Sequence, residues 1–184
     1  MDLDKLRSML SLQSKLDSIL KERAIKLGCP EFSILSFKNK RLYTNMLLYS
    51  LEFGTNSVFS DMLPYKREKL LDRLVSCWSS ALSVALHSLN KDDIIIKVSD
   101  IPFTFNDSLI FILEKIEKLI KDTFGLINYS ANIEEREVRY IEYIENNACQ
   151  MLVELGRLTE ALGFAFNEIY QRYGYLHIQD MNKL

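Results

Sequence analysis

A chain of 184 residues, 48% hydrophobic and 26% charged, has the composition of an ordinary globular protein that buries one sizeable core. Its 23 Lys and Arg against 25 Asp and Glu leave a net −2, which excludes a chain-wide field drawing in nucleic acid or an anionic membrane. Six glycines and three prolines are too few for a many-turned β sandwich, and no run reaches the ~18–20 apolar residues that cross a bilayer.

Residues 2–27 carry a helical stripe of Leu6, Met9, Leu12, Leu16, Ile19 and Leu20. Asp2 and Asp4 suit the positive end of that helix, Lys21, Arg23 and Lys26 suit the other, and Gly28-Cys29-Pro30 stops it. The charged opening MDLDKLRSML is not a secretory signal. Residues 31–37 (EFSILSF) form a short apolar patch without a period, either a strand fragment or a loop on the core. A second helix is expected over 39–53, with Leu42, Met46, Tyr49 and Phe53 on one face and Gly54 as its cap. Lys38, Lys40 and Arg41 crowd its start, where cations oppose the helix dipole. With Lys66 and Arg67 they are the basic positions that a nucleic-acid-binding reading would use.

Residues 64–90 open on Pro64, a good first-turn residue, and carry Leu71, Leu74, Val75, Trp78, Ala81, Leu82, Ala85 and Leu89. The remaining face, Ser76, Ser79, Ser80, Ser83 and His87, is small and uncharged, as expected of a central helix packed on most sides. Residues 94–98 (IIIKV) have strong β propensity and Pro102 bars a helix beyond them, so a short β segment is expected near 94–98. Its pairing stays open between the 31–37 patch, a second copy and no strand at all. Residues 107–124 return to helical spacing with Leu109, Ile112, Leu113, Ile116, Leu119 and Ile120, closed by Gly125.

The longest pattern covers residues 132–173. From Ile141 the apolar positions Ile144, Ala148, Met151, Leu155, Leu158, Leu162, Ala165 and Ile169 alternate in steps of three and four. As one helix this stretch is a rod of ~63 Å, longer than a domain of this size is wide, so it projects or breaks. Cys149, Gly156 and Gly163 recur every seven residues as a column of small side chains beside the seam. The expectation is a continuous helix whose second face receives another copy of the chain; the alternative is a kink or break near Gly163.

Chemistry-bearing motifs are sparse. Cys29, Cys77 and Cys149 are far apart, odd in number and outside any CxxC pair, which suggests small apolar residues in a reducing cytoplasm, with neither a disulfide framework nor a zinc site. His87 follows Ser83 by four, but without a GxSxG elbow it reads as a satisfied core histidine. There is no glycine-rich phosphate loop or HExxH, and no cofactor is expected. Acids at ExxE spacing (Glu114/Glu117, Glu134/Glu137, Glu142/Glu145) resemble the magnesium motif of MazG-type pyrophosphohydrolases, but no ExxD follows and Glu114 and Glu117 have lysines four residues on.

The C-terminal stretch Tyr170, Arg172, Tyr173, Tyr175 and His177 is the strongest lead. Arg172 and His177 have the R-x4-H spacing that resembles the motif of HEPN-domain ribonucleases, helical-bundle proteins that commonly dimerise. That resemblance implies that the arginine stabilises phosphate and the histidine acts in acid–base chemistry. The chain departs from the family pattern in Tyr173, where a polar residue usually follows the arginine. Tyrosines beside an arginine are also favoured interface anchors.

The expected architecture is an all-α bundle of about five principal helices, one domain over 1–184, with a long C-terminal helix. The leading function is a non-enzymatic interaction or assembly protein that forms a homo-oligomer, a dimer, through Cys149, Gly156, Gly163, Tyr170, Arg172, Tyr173 and Tyr175. Another protein partner is a further option, and no membrane partner is expected. The alternatives are an Arg172/His177 ribonuclease and nucleic-acid binding through Lys38, Lys40, Arg41, Lys66 and Arg67.

Overall fold

The computed structural model describes residues 1–29, 64–103, 108–130 and 137–183. Among these residues the chain is an all-α bundle of six helices with no strand. The expected 31–37 patch and 39–53 helix lie outside them.

Helix α1 (Leu3–Lys26) starts where the sequence places it: the Asp2 side chain accepts from the Lys5 amide at 3.1 Å. It ends in a glycine turn, Gly28 at φ 81° with its amide donating to Ile25 O and Cys29 donating to Ala24 O. Helix α2 (Pro64–Ser88) is the expected central helix, buried without interruption from Cys77 to Ala85.

Residues 94–98 are not a strand. They belong to α3 (Lys91–Asp100), whose N-cap Asn90 accepts from the amides of Asp92 and Asp93, two acids that complement the dipole. Ile94, Ile95 and Val98 fall on one face and are buried, so packing overrides the β propensity of the run. Pro102 lies beyond the C-cap Ile101 and bounds the helix rather than preventing it. Helix α4 (Leu109–Ser130) buries Ile112, Ile116, Ile120 and Thr123 and runs through Gly125, past the expected end at 124.

Of the expected rod over 132–173, residues 132–136 lie outside the described residues and the rest is two helices, α5 (Glu137–Ala161) and α6 (Phe166–Lys183). Gly163 adopts φ 73° and donates to Glu160 O, while Phe164 donates to Thr159 O, the double bond of a glycine-terminated helix. Buried Phe164 then fixes the exit of the chain. Helix α6 restarts with the Glu168 carboxylate accepting from the Ala165 amide at 2.8 Å. Arg67 clamps this corner from α2: it pairs with Glu168 at 2.8 Å, donates to Gly163 O and lies 4.3 Å from the Phe164 ring centre. Folding back lets Leu155, Leu158 and Leu162 before the break and Ile169 after it share one core.

Helices α2 and α5 form the interior. In α5 every residue from Met151 to Thr159 is buried, the mark of a helix covered on all sides. Trp78 of α2 is fully buried and donates to Thr159 Oγ1 of α5 at 3.2 Å, so the largest core side chain also finds its polar partner. Phe166 meets the same indole edge-on at 5.4 Å between ring centres.

Helices α1, α2 and α6 run in the same direction. Along α2 and α6 the partners ascend together, Arg67 with Glu168, Asp72 with Arg172 and Ser79 with His177. Along α1 and α2, Gln13 meets Ser79 and Asp17 meets Ser83. Three parallel helices align their dipoles unfavourably, and the polar groups between them are where that arrangement is held.

Candidate functional site

A polar cluster joins the three parallel helices. Gln13 of α1 is fully buried, and its amide nitrogen donates to Asp17 Oδ1 at 2.7 Å. A carboxylate only accepts, so this bond orients the amide and turns Oε1 inward. There Oε1 receives the Tyr173 hydroxyl at 2.6 Å and the Ser79 hydroxyl at 2.8 Å. His177 Nε2 stands 3.3 Å from both Gln13 Oε1 and Ser79 Oγ. Because Oε1 cannot donate, that geometry assigns the imidazole proton to Nε2. The Tyr173 and His177 rings, one turn apart on α6, stack at 3.9 Å between centres. On the outer side Ser83 donates to Asp17 Oδ2.

Burial, and secondarily the carboxylate of Asp17, pushes the Tyr173 phenol well above its ordinary pKa. The phenol therefore stays a neutral donor to Gln13 at any physiological pH. With Gln13 of α1, Ser79 of α2 and Tyr173 and His177 of α6 bonded to one another, the cluster fastens α1, α2 and α6 in one register. A second buried polar group lies on α5. Glu154, fully buried, accepts from Arg157 and from Gln150, each at 2.9 Å, and Arg157 donates to Pro102 O at 2.6 Å.

The expected site residues are dispersed. Arg172 is off the buried seam: its guanidinium grips Asp72 of α2 through bonds of 2.6 and 3.0 Å and lies 5.4 Å from the Tyr175 ring centre. That carboxylate holds the Arg172 pKa above its usual value. After the break at Gly163 the seam continues through Ile169, Tyr173 and His177, all buried. Arg172 and His177 therefore sit in different surroundings, one in an outer ion pair and the other 5% exposed beneath Tyr173.

The small-residue column also turns inward. Cys149 is 1% exposed, and burial pushes its thiol up to about 11. A Cβ added at Gly156 would stand 3.0 Å from Phe103 and 3.5 Å from the Met1 sulfur of the same chain. Gly163 has open space but serves the break. Of the proposed interface set, Tyr175 is exposed and Tyr170 half-buried, while Tyr173 is core. Arg67 is committed to Glu168 and Phe164, Lys66 falls in the first turn of α2, and Lys38, Lys40 and Arg41 lie outside the described residues.

His87 is exposed, not a core histidine, and Ser83 bonds Asp17 instead. Lost hydration, then Lys21, lowers the His87 pKa. Glu117 pairs with Lys121 and Glu145 with Lys97, and among the described residues no three His, Cys, Asp or Glu side chains converge on a metal position. Among the same residues no helix is long and apolar enough to cross a membrane.

Gln13 is the residue that periodicity passed over. It sits on the α1 seam between Met9 and Leu16, and a polar side chain on an apolar seam is the signal that could have found it. No protein-family model, curated protein or solved structure matches this chain.

Proposed function

We propose that this chain is a non-enzymatic interaction and assembly protein that associates with a second copy of itself through the outer face of α6. One observation carries the reading. Tyr175 and Ile178 stand one turn apart, 53% and 55% exposed, beside Arg172, which is already immobilised by Asp72. Tyrosine and arginine are favoured interface anchors, and an arginine held by a neighbour loses less rotamer entropy on binding. Gln179 fixes the Tyr175 hydroxyl at 2.6 Å, so this ring too is positioned in advance. The thiols of Cys29, Cys77 and Cys149 are free, which suits a reducing cytoplasm.

RNA cleavage by Arg172 and His177 has less support, since it would need an arginine released from Asp72 and a histidine brought out from under Tyr173. The test is solution mass by light scattering across concentration. Wild type is expected to dimerise, and Tyr175→Ser with Ile178→Ser to weaken the dimer at least tenfold. A wild type that stays monomeric at all concentrations, or a dimer indifferent to both serines, refutes this surface.

A further inference from the structure

The corner between α5 and α6 is built from residues that also fit an uninterrupted helix. Leu155, Leu158, Leu162, Ala165 and Ile169 keep helical spacing straight through it. Residues 160–166 (EALGFAF) contain no proline and no β-branched side chain, so Gly163 is the one residue that local propensity would use to stop the helix. At its φ of 73° Gly163 is in the left-handed region, yet a Cβ there would meet nothing within 4 Å. The turn is therefore set by backbone conformation and not by crowding.

What α6 rests on is equally specific. Its polar anchors are on α1 and α2: Arg172 on Asp72, Glu168 on Arg67, Tyr173 on Gln13 and His177 on Ser79, with Phe166 against Trp78. A second copy presents the same partners, so each of these contacts can form between two chains unchanged. Only bonds of the corner itself, such as Arg67 to Gly163 O and the Ala165 amide to Glu168, belong to the folded-back form.

We propose that two copies of this chain assemble by exchanging α6, with α5 and α6 straightening through Gly163 into one helix and the Gln13–Ser79 cluster of each copy completed by Tyr173 and His177 of the other. This rests on the self-association reading but differs in mechanism from docking of the outer α6 face. Exchange between identical elements is a low-cost route to a dimer, and short hinges favour it.

Gly163→Ala separates the two forms. The methyl group strains the left-handed turn and favours the continuous helix, once in each copy, so the dimerisation constant is expected to rise on the order of 10³-fold. Refolding at graded concentration followed by light scattering reads this change. A complementation arm uses Arg67→Glu in one copy and Glu168→Arg in another. Each alone sets like charges against each other, whereas exchange in the mixture restores both opposite-charge pairs. A heterodimer forming from the two variants, seen by native mass spectrometry, supports exchange. A Gly163→Ala chain that dimerises no better than wild type overturns it, as does a mixture without preference for the heterodimer. If wild type nevertheless dimerises and Tyr175→Ser/Ile178→Ser weakens it, exchange fails while surface association stands.

Discussion

Replacing Gln13 by Met measures how much the buried polar cluster contributes. Methionine keeps nearly the same length and volume, so the change tests hydrogen bonding and leaves packing close to intact. Four groups lose their acceptor or donor. Asp17 is only partly buried and regains water. Ser79 and His177 stand 3.3 Å apart and can satisfy each other once the imidazole proton moves. The Tyr173 hydroxyl fares worst: the residue is 1% exposed, and what remains to the hydroxyl is a long bond to Met9 O at 3.5 Å. An orphaned buried hydroxyl costs about 1–3 kcal/mol, and the weakened Ser79–His177 geometry adds to it, giving ~2–3 kcal/mol in all. For a chain of this size that is a fall in Tm of roughly 5–10 °C. Tyr173→Phe, which leaves Gln13 Oε1 two donors, is expected to cost only about 1 kcal/mol. The double variant should then cost less than the sum by about 1 kcal/mol, because the orphaned hydroxyl no longer exists. Urea denaturation of the four proteins reads all three values. A Gln13→Met cost below about 0.5 kcal/mol, or strictly additive effects, would refute the view that this cluster fastens the three helices.

Thiol and proton chemistry follow from the same burial. Cys29 is exposed whereas Cys77 and Cys149 are buried, so an alkylating reagent should modify Cys29 rapidly in native protein and the other two only on unfolding; mass-resolved labelling that finds Cys149 among the fast thiols would contradict the fold. On the alkaline side, Tyr173 and Cys149 both hold their protons in the folded chain beyond the pH at which the unfolded chain releases them. Stability is therefore expected to fall as pH rises above about 9, and Tyr173→Phe to flatten that decline in urea titrations at pH 8 to 11. An unchanged slope in the variant would mean that the phenol is not the group responsible.

Much of the bundle is legible in local chemistry. The Asp2 start and Gly28 stop of α1, the Pro64 start of α2 and the stripe of α4 are all written within a few residues of where they act. Residues 94–98 misled because three consecutive isoleucines favour a strand on propensity, while the deciding signals were Asn90 with Asp92 and Asp93 ahead of them. The α5–α6 corner was harder. An unbroken heptad and a helix-stopping glycine give opposite answers; Gly163 takes the left-handed turn, and Arg67, 96 residues away, clamps it. The candidate site was the least legible. Tyr173 and His177 were visible as unusual residues, but their partner Gln13 lies 160 positions from Tyr173, and no local pattern couples the two. Arg172 drew notice for breaking a repeat that in fact changes course at Gly163, so its pairing with Asp72 could not be foreseen.

The docking of α6 onto α1 has a consequence for biosynthesis. At typical elongation speeds of about 5–20 residues per second, Tyr173 leaves the ribosome roughly ten to thirty seconds after Gln13. Once Ser88 has followed, the nascent chain holds α1 and α2 with an empty groove between them, where the Gln13 amide and the Ser79 hydroxyl have not yet met Tyr173 and His177. Polysomes translating this message would carry many such grooves side by side. Folding rate and yield should therefore depend on how quickly the closing helix is delivered, and slowing translation before Phe166 should lengthen the exposure of every chain upstream of it.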